Sequence, residues 1–354
     1  MNLMEASNEW ATRPQDQRFE TLDAMRASVH NRRMKSRSVD VDCGRTHVKS
    51  EDGHLMINGT LTPCEPSHWS FGQLSSLVKA PGGYLRTLPQ PLIVDCLNHG
   101  LAKSGRESVK FMTVERETGA NQLQAVTSTT YGRIWDADVV DSVSRIVERT
   151  GGKFYNPKAR TAQGDKPSGL YASDRDCFAF LIDGGSLLDI GPRAQLNRGF
   201  IVWNSEVGAR TFGLMTFLFN VVCGNHIIWG AQDVNKLVIR HTQNGPARFD
   251  GDAAPALKAY VESSAAPLEA SIRKAQAMVI GDKPETVTDW LNRNGKFTRS
   301  EIASAIDFAK SEEGEAKTLW QLVQGFTAYA RGFDYIDARV DLEARAGKLL
   351  NLVA

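Results

Sequence analysis

NSEVGARTFGLMTFLFNVVCGNHIIWG occupies residues 204–230, and its reading decides the middle of the chain. Between 211 and 222 nearly every position is apolar, so periodicity alone does not separate helix from strand. A run of this length is long for a strand and ordinary for a buried helix. Asn204 or Ser205 offers an N-cap oxygen, and Gly224 stands where a left-handed helix end needs a residue without Cβ. The sequence therefore predicts a buried helix ending at Cys223, with Asn225 and His226 tying down a turn into a strand. A thiol at a helix C-terminus is not activated, because the dipole there disfavours a thiolate. A metal would need two further ligands beside Cys223 and His226. His47, His54, His68, His99 and His241 form no recognisable ligand pair with them. Asn204, Ser205, Glu206, Cys223, Asn225 and His226 are accordingly read as structural.

Working outward, RGFIVWNSE upstream and KLVIRH downstream read as strands, and LYASDRDCFAFLIDGG as a buried strand closed by Asp183, Gly184 and Gly185. VKFMTVER and LQAVTSTTYGRI, separated by ETGANQ, have hairpin spacing. Asp136 is the expected N-cap of a helix that carries Val139, Val140, Val143, Ile146 and Val147 on one face. SVDVDC, RTHVKS and HLMING read as short strands. HWSFGQLSSLVKAPGGYLRTLPQPLIVDCLNHGLAKSG reads as two or three short helices broken at Pro81 and Pro89. From Ala253 the pattern is helical to the end. The expected class is α+β, with a mainly antiparallel central sheet, a helical N-terminal insertion and an all-helical C-terminal region. The expected division is a basic arm and helix over 1–37, an α+β core over 38–250 and a helical region over 251–354.

The chain has 354 residues and a net charge of +1, so its global field demands neither a nucleic acid nor a membrane. Cys43, Cys64, Cys96, Cys177 and Cys223 are odd in number and form no CxxC pair, which favours reduced thiols and a cytoplasmic setting. The first residues lack the basic start and apolar core of a secretory signal, and no run is long and apolar enough to span a membrane. Phosphate-loop, nucleophile-elbow and HExxH signatures are absent from the sequence.

Local patches carry the functional expectation. Arg32, Arg33, Lys35 and Arg37 end the first predicted helix. Tyr131, Arg133 and Trp135 alternate along a predicted strand edge, and Arg198 precedes Phe200 and Trp203. Aromatics interleaved with cations suit single-stranded nucleic acid, whose bases stack while its phosphates are neutralised. Asp174, Asp176, Asp183 and Asp189 surround one strand and offer oxygen ligands to a divalent cation. Aspartates at such positions more often cap turns.

LTPCEPSHWSFGQLSSLVKAPGGYLRTLP, AVTSTTYGRIWDADVVDSV, RGFIVWNSEVG, FNVVCGNHIIWG and TLWQLVQGFTAYAR, in that order, resemble the phage- and plasmid-related family called domain of unknown function 932, over roughly 40–350. A hydrophobic helix ending in Cys-x-Asn recurs in that family, and Cys223 and Asn225 match it. The resemblance implies carriage on mobile elements, a cytoplasmic setting and a nucleic-acid partner, without assigning a reaction. The expected function is a non-enzymatic accessory, oligomeric or not, that binds single-stranded DNA in recombination or replication and needs no cofactor. Its rivals are a metal-dependent enzyme acting on nucleic acid, using Asp174, Asp176, Asp183, Asp189 or His226, and a phage protein that engages a host defence factor.

Overall fold

The computed structural model describes residues 14–353, except 61, 157, 162–163, 168, 186–187, 190–194, 221–225, 228–235, 265 and 334–335. After the short strand β1 (Arg18–Phe19), Thr21 caps α1 (Leu22–Lys35) by accepting from the Ala24 N–H. Met25 and Val29, one turn apart, are the residues that α1 buries.

The first lobe runs through β2 (Ser36–Asp42), β3 (His47–Glu51), β4 (His54–Asn58) and β5 (Cys64–Pro66). Helices α2 (His68–Leu77), α3 (Gly82–Leu85) and α4 (Gln90–Ala102) follow, and then β6 (Ser108–Glu115) and β7 (Asn121–Thr127). The strands form a six-stranded sheet in the order β2-β6-β7-β5-β4-β3. Among the described strands, the β5–β7 pairing is the parallel one. Asp52 and Gly53, both at positive φ, make the tight β3–β4 turn expected from EDG. Phe71, Leu74, Leu85 and Leu97 of the helices pack on Ile57, Phe111 and Leu123 of the sheet.

The second lobe opens with α5 (Asp136–Glu148), whose five predicted apolar residues are all buried. Next come β8 (Phe154–Tyr155), β9 (Lys158–Thr161), β10 (Gly164–Pro167), β11 (Leu170–Ala172) and β12 (Cys177–Asp183). The remaining strands are β13 (Leu188–Asp189), β14 (Gln195–Asn204), β15 (Phe212–Asn220), β16 (His226–Ile227) and β17 (Lys236–Ile239). The main sheet has the order β1-β11-β12-β14-β15-β16, with β8, β13 and β17 attached at its sides, and β9 and β10 form a separate hairpin. The strands expected in one central sheet thus divide between two.

The apolar run at 211–222 is where the structure departs most from expectation. Over its described residues it is strand β15, paired with β14 from Gly213 to Asn220 and with β17 from Phe212 to Met215. Both faces of β14 and β15 are covered. Phe200, Val202 and Leu214 meet α5 and α1, whereas Ile201, Trp203, Met215 and Phe217 form a second core. A strand covered on both faces needs no alternation, which is why its sequence reads as an unbroken apolar run. Asn204 therefore ends a strand and caps no helix, and Ser205 lies in the turn to β15. Cys223, Gly224 and Asn225 lie outside the described residues, and His226 pairs with Phe219 in β16.

Helix α6 (Gly245–Arg248) passes through a π turn (Phe249–Ala253) into α7 (Ala254–Glu262). A bundle follows, made of α8 (Ala266–Ala277), α9 (Pro284–Asn294), α10 (Arg299–Glu313), α11 (Leu319–Ala330) and α12 (Ile336–Leu349). Reciprocal capping boxes, Thr298 with Glu301 and Thr318 with Gln321, start α10 and α11. Leu196 and Leu218 of the main sheet join the bundle core.

Candidate functional site

Where the two lobes meet, a set of charged side chains is buried together. Asp136 is the first residue of α5, after an N-cap at Trp135, so its carboxylate does not cap the helix as expected. Its Oδ1 accepts from Asn204 Nδ2 at 2.7 Å and from Cys177 Sγ at 3.1 Å, and its Oδ2 lies 2.6 Å from Arg32 Nη2. The orphan N–H of Asp136 at the helix start donates to Glu206 Oε2 at 3.1 Å, and Glu206 Oε1 faces Arg32 Nε at 3.0 Å. One guanidinium thus bridges two carboxylates, and it also donates to the Ser173 carbonyl.

Arg32 carries one charge and faces two acids with little water nearby. Burial opposes its charge, but Glu206 and Asp136 outweigh that and raise its pKa. Burial, together with the Glu206 charge, pushes Asp136 the other way from an ordinary salt-bridged acid, up to about 7. Asp136 therefore keeps its proton into the neutral range, which relieves the negative charge that a single arginine leaves unbalanced. The Cys177 thiol is raised well above its ordinary value, first by burial and then by Asp136, so it is a hydrogen-bond donor there and not a nucleophile.

The aromatic–basic pattern of residues 131–135 is real in space, but it lies on an extended connection between β7 and α5 instead of a strand. Arg33 stacks on Trp135 at 3.8 Å, Arg133 lies 5.3 Å from Trp135 and 5.2 Å from Tyr131, and Tyr131 stacks on His241 at 5.1 Å. Arg133 is 8% exposed and donates to the Glu206 carbonyl. His241, largely buried, is driven down to about 4 and stays neutral. Arg32 and Arg133 therefore converge on Glu206.

Arg198 does not join them. Its Nε pairs with Asp183 at 2.8 Å, and its other nitrogens donate to the Tyr260, Val261 and Ser263 carbonyls at the end of α7. Arg37 is exposed and donates to its own chain at Met34 and Ser36, and Lys35 is half-buried. Asp176 and Asp183 stand at opposite ends of β12, and Arg210 reaches Asp176 at 2.9 Å. Asp174 is exposed on the turn before β12, and the Asp189 backbone pairs with Gln195. Among the described residues no group of three metal-ligating side chains is present. Cys43, Cys64, Cys96 and Cys177 are free thiols.

A cleft of about 690 Å³ opens beside this seam, between α2 and the ends of β6 and β7. Its charged lining is Lys79, Arg86 and Arg106, with His68 at one end, and none of its described lining residues is acidic. Ser76, Ser104 and Ser128 add hydroxyls. Trp69 and Gln73 form the wall toward the seam, where both donate to the Val207 carbonyl at 3.1 and 2.9 Å. Val207 follows Glu206, so the cleft wall and the charge cluster share one turn. A smaller hollow of about 300 Å³ shares His68 and Arg86 with the cleft.

These cleft residues escaped the sequence reading because turns far apart in the chain assemble them. One signal was present: no Asp or Glu occurs between Glu65 and Asp95, although Lys79 and Arg86 do.

Among the described residues no helix is long and apolar enough to cross a membrane. Neither a curated protein nor a solved structure matches the chain. The profile of the family described as Domain of unknown function (DUF932) matches residues 124–333, a shorter span than the one expected from the motifs. That span holds the seam from Tyr131 to His241 and excludes α2 to α4. It is more than half of the chain, and the chain belongs to this family.

Proposed function

We propose that the protein binds nucleic acid as a single strand, with its phosphates in the cleft beside α2. The observation that supports this most is a concave surface lined by Lys79, Arg86, Arg106 and His68 with no acid among its described lining residues. In a chain of net charge +1, such local segregation of charge supplies the attraction that the whole molecule lacks. Displacing counterions from a phosphate backbone drives binding to such a surface, and the serine hydroxyls add neutral donors to phosphate oxygens. A concave site admits a flexible strand more readily than the convex wall of a duplex. Tyr131, Arg133 and Arg198, whose rings and guanidinium groups are engaged internally, act in this reading as supports and not as contacts. An accessory role in the recombination or replication of a phage or plasmid suits such an activity.

The test is fluorescence anisotropy with a labelled oligonucleotide over a salt series. Affinity is expected to fall steeply with salt, with a slope of about 0.7 per phosphate contact. Lys79→Glu combined with Arg106→Glu should weaken binding at least about tenfold and flatten the slope by one to two contacts. Loss caused instead by reversing Lys35 and Arg37 would move the strand to the end of α1. Absence of salt-sensitive binding would remove the reading.

A further inference from the structure

We infer that the smaller hollow next to the cleft is a base pocket that selects guanine, an inference that rests on the nucleic-acid reading above. The two cavities differ in chemistry. The larger has no carboxylate in its described lining, whereas the smaller, about 300 Å³, sets Leu55, Phe71 and Ile93 beside the polar His54, Ser67 and Gln90 and holds a single carboxylate, Glu65. Arg86 belongs to both. Its guanidinium lies 4.8 Å over the Phe71 ring and donates from Nη2 to the His68 carbonyl at 2.8 Å, which fixes it at the junction. A phosphate held by Arg86 would leave its nucleoside within reach of the smaller hollow, whose wall offers both apolar contact and hydrogen-bond partners.

A nucleobase fits that hollow chemically, since its faces are apolar and its edge needs hydrogen-bond partners. Glu65 decides which base. Its Oε1 faces His54 Nδ1 at 3.0 Å and its Oε2 accepts from Arg116 Nη1 at 3.0 Å, so each oxygen keeps a lone pair for a further donor. The His54 and Arg116 contacts also hold the carboxyl below its usual range, which keeps it an acceptor. Guanine presents two neighbouring donors, N1–H and the 2-amino group, which one carboxylate receives in parallel. Adenine, cytosine and thymine each place an acceptor beside their donor on that edge, and an acceptor facing a carboxylate is repelled.

The experiment compares an oligothymidylate probe with the same probe carrying one central guanine, at fixed salt, by anisotropy. The guanine probe should bind about tenfold tighter, the discrimination expected of one bidentate base contact. Glu65→Gln, whose amide turns one acceptor into a donor, should bring the ratio of the two affinities close to one. Equal affinities in the unmodified protein, with steep salt dependence retained, would overturn the base pocket and leave the phosphate cleft standing. No salt-sensitive binding of either probe would overturn both.

Discussion

Asp136 and His241 show how burial at the lobe junction sets opposing responses to pH. Asp136 titrates near 7 in the folded chain against about 4 when unfolded, so between those values the folded state holds the extra proton and stability falls as pH rises. His241 titrates near 4 when folded against about 6.5 when unfolded. Over that window the unfolded state holds the extra proton, and stability rises with pH. The two slopes nearly cancel between pH 4 and 6.5. Asp136→Asn should therefore expose a stability that climbs with pH, and His241→Asn one that declines, when urea midpoints are followed from pH 4 to 7. Parallel profiles for the two variants would refute the assignment. The residue types at 131–136 were legible in the sequence, but their burial was not. That burial comes from Glu206 and His241, which are distant in the chain and carry no local mark of their destination.

At the scale of elements, helices and hairpins with punctuation were readable. The capped α10 and α11, the β3–β4 hairpin at EDG and the valine face of α5 all follow from short-range rules. The run at 211–222 failed because a strand covered on both faces and a buried helix have the same apolar texture. Gly213 within that run held a clue. It is paired with Trp203 on β14, and a Cβ there would lie 2.0 Å from the Trp203 ring. A glycine in a strand interior often marks such a close approach. Gly213→Val should destabilise the protein by roughly 1–3 kcal/mol or more through overpacking, read as a lowered denaturation midpoint with altered tryptophan fluorescence. A neutral substitution would mean that Trp203 does not lie over this strand.

At the scale of the molecule, Leu196 and Leu218 carry the bundle core into the main sheet, and two arginines with buried carboxylate partners tie further elements together. Arg198 ties the end of α7 to β12 and β14, and Arg32 ties α1, which leads into the first sheet, to α5 and to the β14–β15 turn. Neither role could be seen in sequence, where both stood among the candidate nucleic-acid contacts. Such a charge, once its partners are buried, is more costly to remove than a surface one, because the carboxylates it leaves behind have no water to replace it. Arg32→Ala strands Asp136 and Glu206 together and should cost about 3–5 kcal/mol at pH 8. Protonation of Asp136 is the remedy still open, so the loss should shrink at pH 5, where Asp136 is already neutral in the folded chain. Chemical denaturation of the variant and the unmodified chain at both pH values measures the difference. An equal loss at pH 5 and pH 8 would mean that Arg32 contributes packing alone and that Asp136 does not change its protonation between them. Because the turn carrying Glu206 also carries the Val207 carbonyl that Trp69 and Gln73 hold, the same variant should loosen the cleft wall and weaken oligonucleotide binding more at pH 8 than at pH 5.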